Sequence, residues 1–222
     1  MANILLGVTG SVAAIKTPEL FAAIRERGHS VKVVATQGSL YFFDPAALDP
    51  TRVLRNPEVV VVDDDEWPGR ADGDRYKRGD VVVHIELRRW ADVFVVAPLD
   101  ANTLAKFATG LCDNCLTCVW RAWDPSRPVV VAPAMNTFMW EHPLTMRQLR
   151  ALAIDTGAAH IPGHLDGNAT LAQINSRSQS FRVVAPQSKE LACGDVGIGA
   201  MADIHAIVAA IQELLARSPS RA

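Results

Sequence analysis

The first thirty-five residues constrain the fold more than any other stretch. Asn3-Ile4-Leu5-Leu6 is a short apolar run that ends in Gly7-Val8-Thr9-Gly10-Ser11. A helical spacing of apolar residues follows through Ala13, Ala14, Leu20 and Ile24 to a stop at Gly28, and Val31-Lys32-Val33-Val34-Ala35 is a second apolar run. Strand, glycine turn, helix and strand make a βαβ unit, whose crossover lays the two strands parallel. Pro18 inside the helical spacing requires a kink or a place in the first turn of the helix. The expectation is an α/β fold, a flavodoxin-like or Rossmann-like three-layer sandwich around a parallel sheet.

The rest of the chain extends that pattern. Val93-Phe94-Val95-Val96-Ala97 is the clearest strand and Val129-Val130-Val131-Ala132 another, while Phe181 to Ala185 leads into the glycine-rich segment around Cys193. Short β-branched runs of this kind suit strands buried on both faces. Val59–Val62 is a candidate strand, and Asp63-Asp64-Asp65-Glu66 after it reads as a solvated acidic run rather than a metal site. Order returns at Val81-Val82-Val83, and His84 opens an amphipathic segment at an expected strand-to-helix junction. Helices are expected over 144–152 and from about Asp203 to Leu215. Residues 164–180 lack hydrophobic periodicity and read as a surface-loop insertion, and 217–222 as a disordered tail on a single domain of residues 1–216.

Composition narrows the function classes. The chain has 222 residues, 49% of them hydrophobic and 21% charged, enough to bury a core without staples. A near-balanced 22 basic and 24 acidic residues give no sign of a nucleic-acid partner. No apolar run approaches a membrane span, the N-terminus lacks a signal-peptide pattern, and four cysteines do not make a disulfide framework. The expectation is a reduced, cytoplasmic protein. Cys112, Cys115 and Cys118 have C-x2-C-x2-C spacing but lack a fourth nearby ligand, so they read as a buried stripe on a helix over 113–123.

Several loops carry groups that could hold a ligand. The first turn is G-x-x-G-S and not G-x-G-x-x-G, and the second strand ends in Thr36 rather than the acid that would bind a ribose. Ser11, Thr36 and Ser39 gather hydroxyls near a helix start, which suits one phosphate and favours FMN over NAD. Asp100-Ala101-Asn102-Thr103 begins another helix after the strand at 93–97. Past the strand at 129–132, Pro133-Ala134-Met135-Asn136-Thr137-Phe138-Met139-Trp140 places an amide among methionines and tryptophan, where a parallel sheet binds ligands. Glycines around Cys193 describe a flap that can lay a thiol over a ligand. Taken alone, these patterns also fit a helix-starting turn and an ordinary polar loop over an apolar lid.

The segments GVTGSVAAIK, HIELRRWADVFVVAPLDANTLAKFATGLCDN, PAMNTFMWEHP and LACGDVGIGAMA resolve the choice. Together they resemble the flavin-dependent cysteine decarboxylases with their PxMNxxMW motif. Within these the match is to the phosphopantothenoylcysteine decarboxylases of coenzyme A biosynthesis and their plant and fungal salt-tolerance homologues. The resemblance implies a homotrimer with FMN between subunits, contacted by Gly10, Ser11, Thr36, Ser39, Asp100, Ala101, Asn102, Thr103 and Ala134. It implies His84 as the catalytic histidine, Asn136 as the residue holding the substrate carboxylate, Cys193 as the flap's proton donor, and Ala192 and Met201 as substrate contacts.

The implied reaction is decarboxylation of 4′-phosphopantothenoylcysteine to 4′-phosphopantetheine. Oxidation of CH2–SH to a thioaldehyde makes the carboxylate β to C=S, CO2 leaves to give an enethiolate, and hydride and a proton return. The family's flap usually carries a basic residue three positions before its cysteine. Here Glu190 stands there, with Lys189 beside it. A flavin prenyltransferase would not keep both the PxMNxxMW loop and a cysteine-bearing flap, and LRRWAD with the ACGDxGxGAM flap speaks against a peptidyl-cysteine decarboxylase. A non-catalytic regulatory subunit of a protein phosphatase would lack one of His84, Asn136 and Cys193, all present here.

Overall fold

A computed structural model describes residues 1–49, 55–67, 69–190 and 196–217. Six parallel strands form the central sheet: β1 (Asn3–Val8), β2 (Ser30–Ala35), β3 (Val60–Val62), β4 (Val93–Leu99), β5 (Val129–Pro133) and β6 (Phe181–Val183). Their order is β3-β2-β1-β4-β5-β6, so the chain grows outward in one direction through β3 and then starts again from β4 on the other side of β1. The expected three-layer α/β architecture is what forms.

The two-residue period of the strands divides the core into two. Ile4, Leu6, Val33, Val93, Val95 and Val130 point to one face, where α1 (Thr17–Glu26) and α8 (Ile204–Arg217) bring Leu20, Ile24, Ile207 and Ile211. Leu5, Val34, Phe94, Val96, Val129 and Val131 point to the other. That face is covered by α2 (Val83–Trp90), α3 (Ala101–Thr109), α4 (Cys115–Ala122), α6 (Pro143–Asp155) and α7 (Gly167–Arg177). All seven residues of β4 are buried, as a central parallel strand requires. Pro18 lies in the first turn of α1, where its missing N–H breaks no helical bond. No helix among the described residues is long and apolar enough to cross a membrane.

Four expectations need correction. Residues 164–180 do not form a surface loop, because α7 occupies most of them. Asp166 caps it by accepting from Ala169 N at 2.8 Å, and Thr170, Leu171 and Ile174 are buried on one face. The narrow apolar stripe was hidden among polar residues that face solvent. The helix also anchors the edge of the sheet: Asn175 Nδ2 donates to Val183 O and its Oδ1 accepts from Val183 N, both at 2.9 Å.

Val81–Val82 is not a strand, and His84 sits in the first turn of α2. Cys112 is exposed and precedes α4, so the thiol stripe reduces to buried Cys115 and half-buried Cys118, which burial holds up at about 11. Arg217 belongs to α8, where it donates to Glu213 at 2.6 Å, and residues 218–222 lie outside the described residues.

If α7 is structural, Leu171→Ala and Ile174→Ala should each cost about 2–4 kcal/mol in denaturant unfolding. A loss under about 0.5 kcal/mol for both, the range of surface substitutions, would return the segment to a dispensable loop.

Candidate active site

A cavity of about 640 Å³ opens at the carboxyl end of the sheet, at the junction of β1 and β4. Its walls come from the segments that leave three neighbouring strands. Thr9 fixes the first two: its fully buried hydroxyl donates to Pro98 O and accepts from Asp100 N, both at 2.8 Å. The exits of β1 and β4 are thereby held side by side. Ser11 then caps the 3₁₀ turn Val12–Lys16, and Asp100 caps α3 by accepting from Thr103 N at 2.6 Å. The first turn of α3 lies at the cavity, and free N–H groups at a helix start favour an anion.

Gly10 sits where these segments come closest. A Cβ there would lie 3.3 Å from Asp100 Oδ2 and 3.5 Å from the backbone of Gly38. Any larger side chain at residue 10 would therefore crowd Asp100 and the Gly38 backbone.

The third wall is the PAMNTFMW segment. Ala134 N donates to Leu99 O at 2.9 Å, and Asn136 starts α5 (Thr137–Glu141) by accepting from Phe138 N at 2.9 Å. Over it lies a hairpin of β7 (Gln187–Glu190) and β8 (Val196–Ala200). Met135 N donates to Gly199 O at 3.0 Å, and a Cβ at Gly199 would fall 2.2 Å from Met135 O. With φ at +148°, Gly199 is a backbone position that only glycine takes comfortably. The hairpin contributes Lys189, Gly199, Ala200 and Met201 to the cavity.

Of the residues expected from sequence, Gly10, Ser11, Asp100, Ala101, Asn102, Ala134, Asn136 and Met201 all line this one cavity. Thr36, Ser39 and Thr103 are buried behind its walls. Thr36 Oγ1 donates to Val8 O at 3.3 Å and Ser39 Oγ donates to Thr36 O at 2.7 Å, so both hydroxyls shape the loop that brings Gly38 against Gly10. Ala192 and Cys193 lie outside the described residues. Lys16, Phe42, Met135, Met139 and Lys189 also line the cavity and were not singled out as contacts. Lys16 belongs to the quoted GVTGSVAAIK segment, and its place at the end of the first turn was the available signal.

His84 is elsewhere on the chain and does not line the cavity. It is hydrogen-bonded through Nδ1 to Glu66 Oε1, and the Glu66 side chain is only 3% exposed. The acidic run is therefore not a solvated one. Asp63 accepts from Gln37 N at 3.1 Å and from Cys115 N, the start of α4, at 3.3 Å. Burial pushes its carboxyl up, and these two N–H groups pull it back. Asp65 takes a two-pronged contact from Arg55 at 2.7 and 2.9 Å. Asp64 alone is exposed. Partners up to 52 residues away cannot be read from a run of four acids.

A model of the flavoprotein family matches residues 1–216. Mouse phosphopantothenoylcysteine decarboxylase is 43% identical over 98% of this chain and 89% of its own length. Among solved structures, a cysteine-to-serine variant of a PPC decarboxylase complexed with pantothenoylaminoethenethiol is similar at a TM-score of 0.73. It is 41% identical, over 98% of this chain and 99% of the other. The FMN binding protein AtHal3 is similar at a TM-score of 0.72 and 40% identity, over 98% of both chains.

The close approach at Gly199 generates a direct test. Gly199→Ala should lift the hairpin from Met135, so limited proteolysis within 187–200 should speed up about tenfold or more. An unchanged cleavage rate would mean that the hairpin is not held by this contact.

Proposed function

The chain belongs to the flavoprotein family and, within it, to the phosphopantothenoylcysteine decarboxylases, and from that premise we propose that it converts 4′-phosphopantothenoylcysteine to 4′-phosphopantetheine with bound FMN. One observation carries the reading. Groups suited to a mononucleotide phosphate and an amide suited to a carboxylate share a single cavity beside the hairpin that Gly199 brings down onto Met135.

FMN fits what the residues offer. The Gly10 turn, the Ser11 hydroxyl and the N–H groups at the start of α3 suit its phosphate. Ala101, Asn102 and Ala134 would complete its bed, with Thr36, Ser39 and Thr103 shaping that bed from behind. When bound, FMN supplies reversible two-electron chemistry that turns the substrate's CH2–SH into a thioaldehyde, the electron sink that lets CO2 leave.

This chain's own groups do the rest. His84 accepts the thiol proton as general base. Asn136, its Oδ1 tied to Phe138 N, presents amide N–H donors to the carboxylate. Met135 and Met139 keep water from the reacting carbons, and Met201 with Ala192 contacts the substrate. Cys193 delivers the proton that saturates the product. The solved relative supports this assignment, since it holds an aminoethenethiol, the class of compound left when CO2 has gone and saturation has not occurred.

The reading includes a cytoplasmic homotrimer. His84 lies outside the cavity lining of its own chain, and in this reading a second copy brings it there. Val12, Ile15 and Met139 at the cavity and neighbouring Phe138 form an exposed apolar rim of the kind that subunit contacts cover.

Three times 24.0 kDa gives about 72 kDa, the mass that light scattering should return for flavin-bearing protein. With substrate, Cys193→Ser should still release CO2 but accumulate the enethiol. His84→Asn should leave the flavin absorbance oxidised and slow turnover at least about a hundredfold. Identical behaviour of the two variants, or a flavin-bearing monomer at full activity, would contradict the assignment.

A further inference from the structure

Glu66 is a buried carboxylate that the chemistry above does not use. Burying such a group costs several kcal/mol, of the order expected for ions in protein interiors, unless partners compensate. Its ion pair among the described residues is with His84 Nδ1, through Oε1. Its other oxygen, Oε2, is buried with no nitrogen or oxygen partner. Burial, and then the nearby Glu66, pushes the Cys115 thiol up, so the sulfur beside it stays protonated. Arg55, the nearby cation, is spent on Asp65. Glu66 thus meets the imidazole from the protein's interior, while the His84 side chain remains 20% exposed.

We propose that Glu66 is the positioning residue for His84. The proposal rests on the reading of His84 as the base that takes the substrate's thiol proton. An ionised carboxylate can only accept, so the neutral imidazole bonded to it carries its proton on Nδ1. Nε2 is then left with a lone pair, directed away from the buried acid. That is the tautomer a general base needs. It also fixes the ring's orientation, so a second copy of the chain meets a preset acceptor rather than a rotating one. The 3₁₀ turn Asp63–Glu66 serves this end: Asp63 ties it to α4 and to Gln37, and Asp65 ties it to Arg55, leaving Glu66 turned inward.

The test uses the flavin-bearing protein with ¹⁵N-labelled imidazoles, the His84 signal being assigned by its loss in His84→Asn. Neutral His84 should show a protonated Nδ1 and an unprotonated Nε2. Glu66→Gln keeps the shape, but its amide can donate to Nδ1 and so accommodates the other tautomer. It should change the tautomer signal and slow flavin bleaching by substrate about 10- to 100-fold, with flavin content and melting temperature retained. Combining it with His84→Asn should slow bleaching no further than His84→Asn alone, because the two act as a unit.

A wild-type ring protonated on Nε2 would overturn the proposal, whatever the variants do. So would a Glu66→Gln protein that bleaches within about twofold of wild type while His84→Asn is impaired. If His84→Asn itself bleaches at the wild-type rate, the base assignment fails and the positioning role falls with it.

Discussion

One buried hydroxyl joins the two halves of this molecule at the carboxyl end of its sheet, where the cavity opens. Thr9 ends β1 and reaches across to the exit of β4, donating to Pro98 O and accepting from Asp100 N. Those strands are neighbours in the sheet but far apart in sequence, because the order reverses between them. Segments leaving β1 and β4 cross in opposite directions and leave a crevice, which is where open parallel sheets bind ligands. A buried donor and acceptor satisfied together, about 1 kcal/mol each in net terms, do more here for position than for stability. They set the spacing between the Gly10 turn and the start of α3.

Two of the cavity's polar groups follow from that spacing. Ser11 and Asp100 are cap residues first, each satisfying N–H groups of the element that it starts. Because caps sit at strand exits, the same residues end up lining the cavity. The hairpin adds the one wall that the sheet cannot supply. It approaches the Asn136 segment closely, which explains glycine at 197 and 199: a Cβ at Gly199 would meet the Met135 backbone, and one at Gly197 would fall 2.4 Å from the Thr137 side-chain Oγ1. The alternating glycines that suggested a flap are thus the means by which β8 lies flat on the loop beneath it.

The sheet was legible because its strands are short, β-branched and apolar, and the crevice because glycine and cap residues cluster at their exits. Three things were not legible, each for a physical reason. Helix α7 buries only Thr170, Leu171 and Ile174, a stripe too narrow to stand out from Gly167, Asn168 and the surrounding serines. The acidic run looked solvated because three of its four members find partners at long sequence separation, with Glu66 reaching His84 and Asp63 reaching Cys115. The third is the direction of the Thr36 and Ser39 hydroxyls, which donate to the main-chain carbonyls of Val8 and Thr36. Hydroxyls at strand ends are ambiguous in this way, because a nearby carbonyl competes with any ligand.

The central claim is that the crevice between β1 and β4 is the flavin site. A crystal structure of the protein grown with FMN tests it most directly. The account predicts density in the cavity bounded by Gly10, Ser11, Asn102 and Ala134, with the phosphate at the Ser11 turn and the start of α3. A second, polar cavity of about 520 Å³ lies among Trp120, Arg121, Trp123 and Asp155, away from the strand exits. Flavin bound there, with the switch-point crevice empty, would contradict the account.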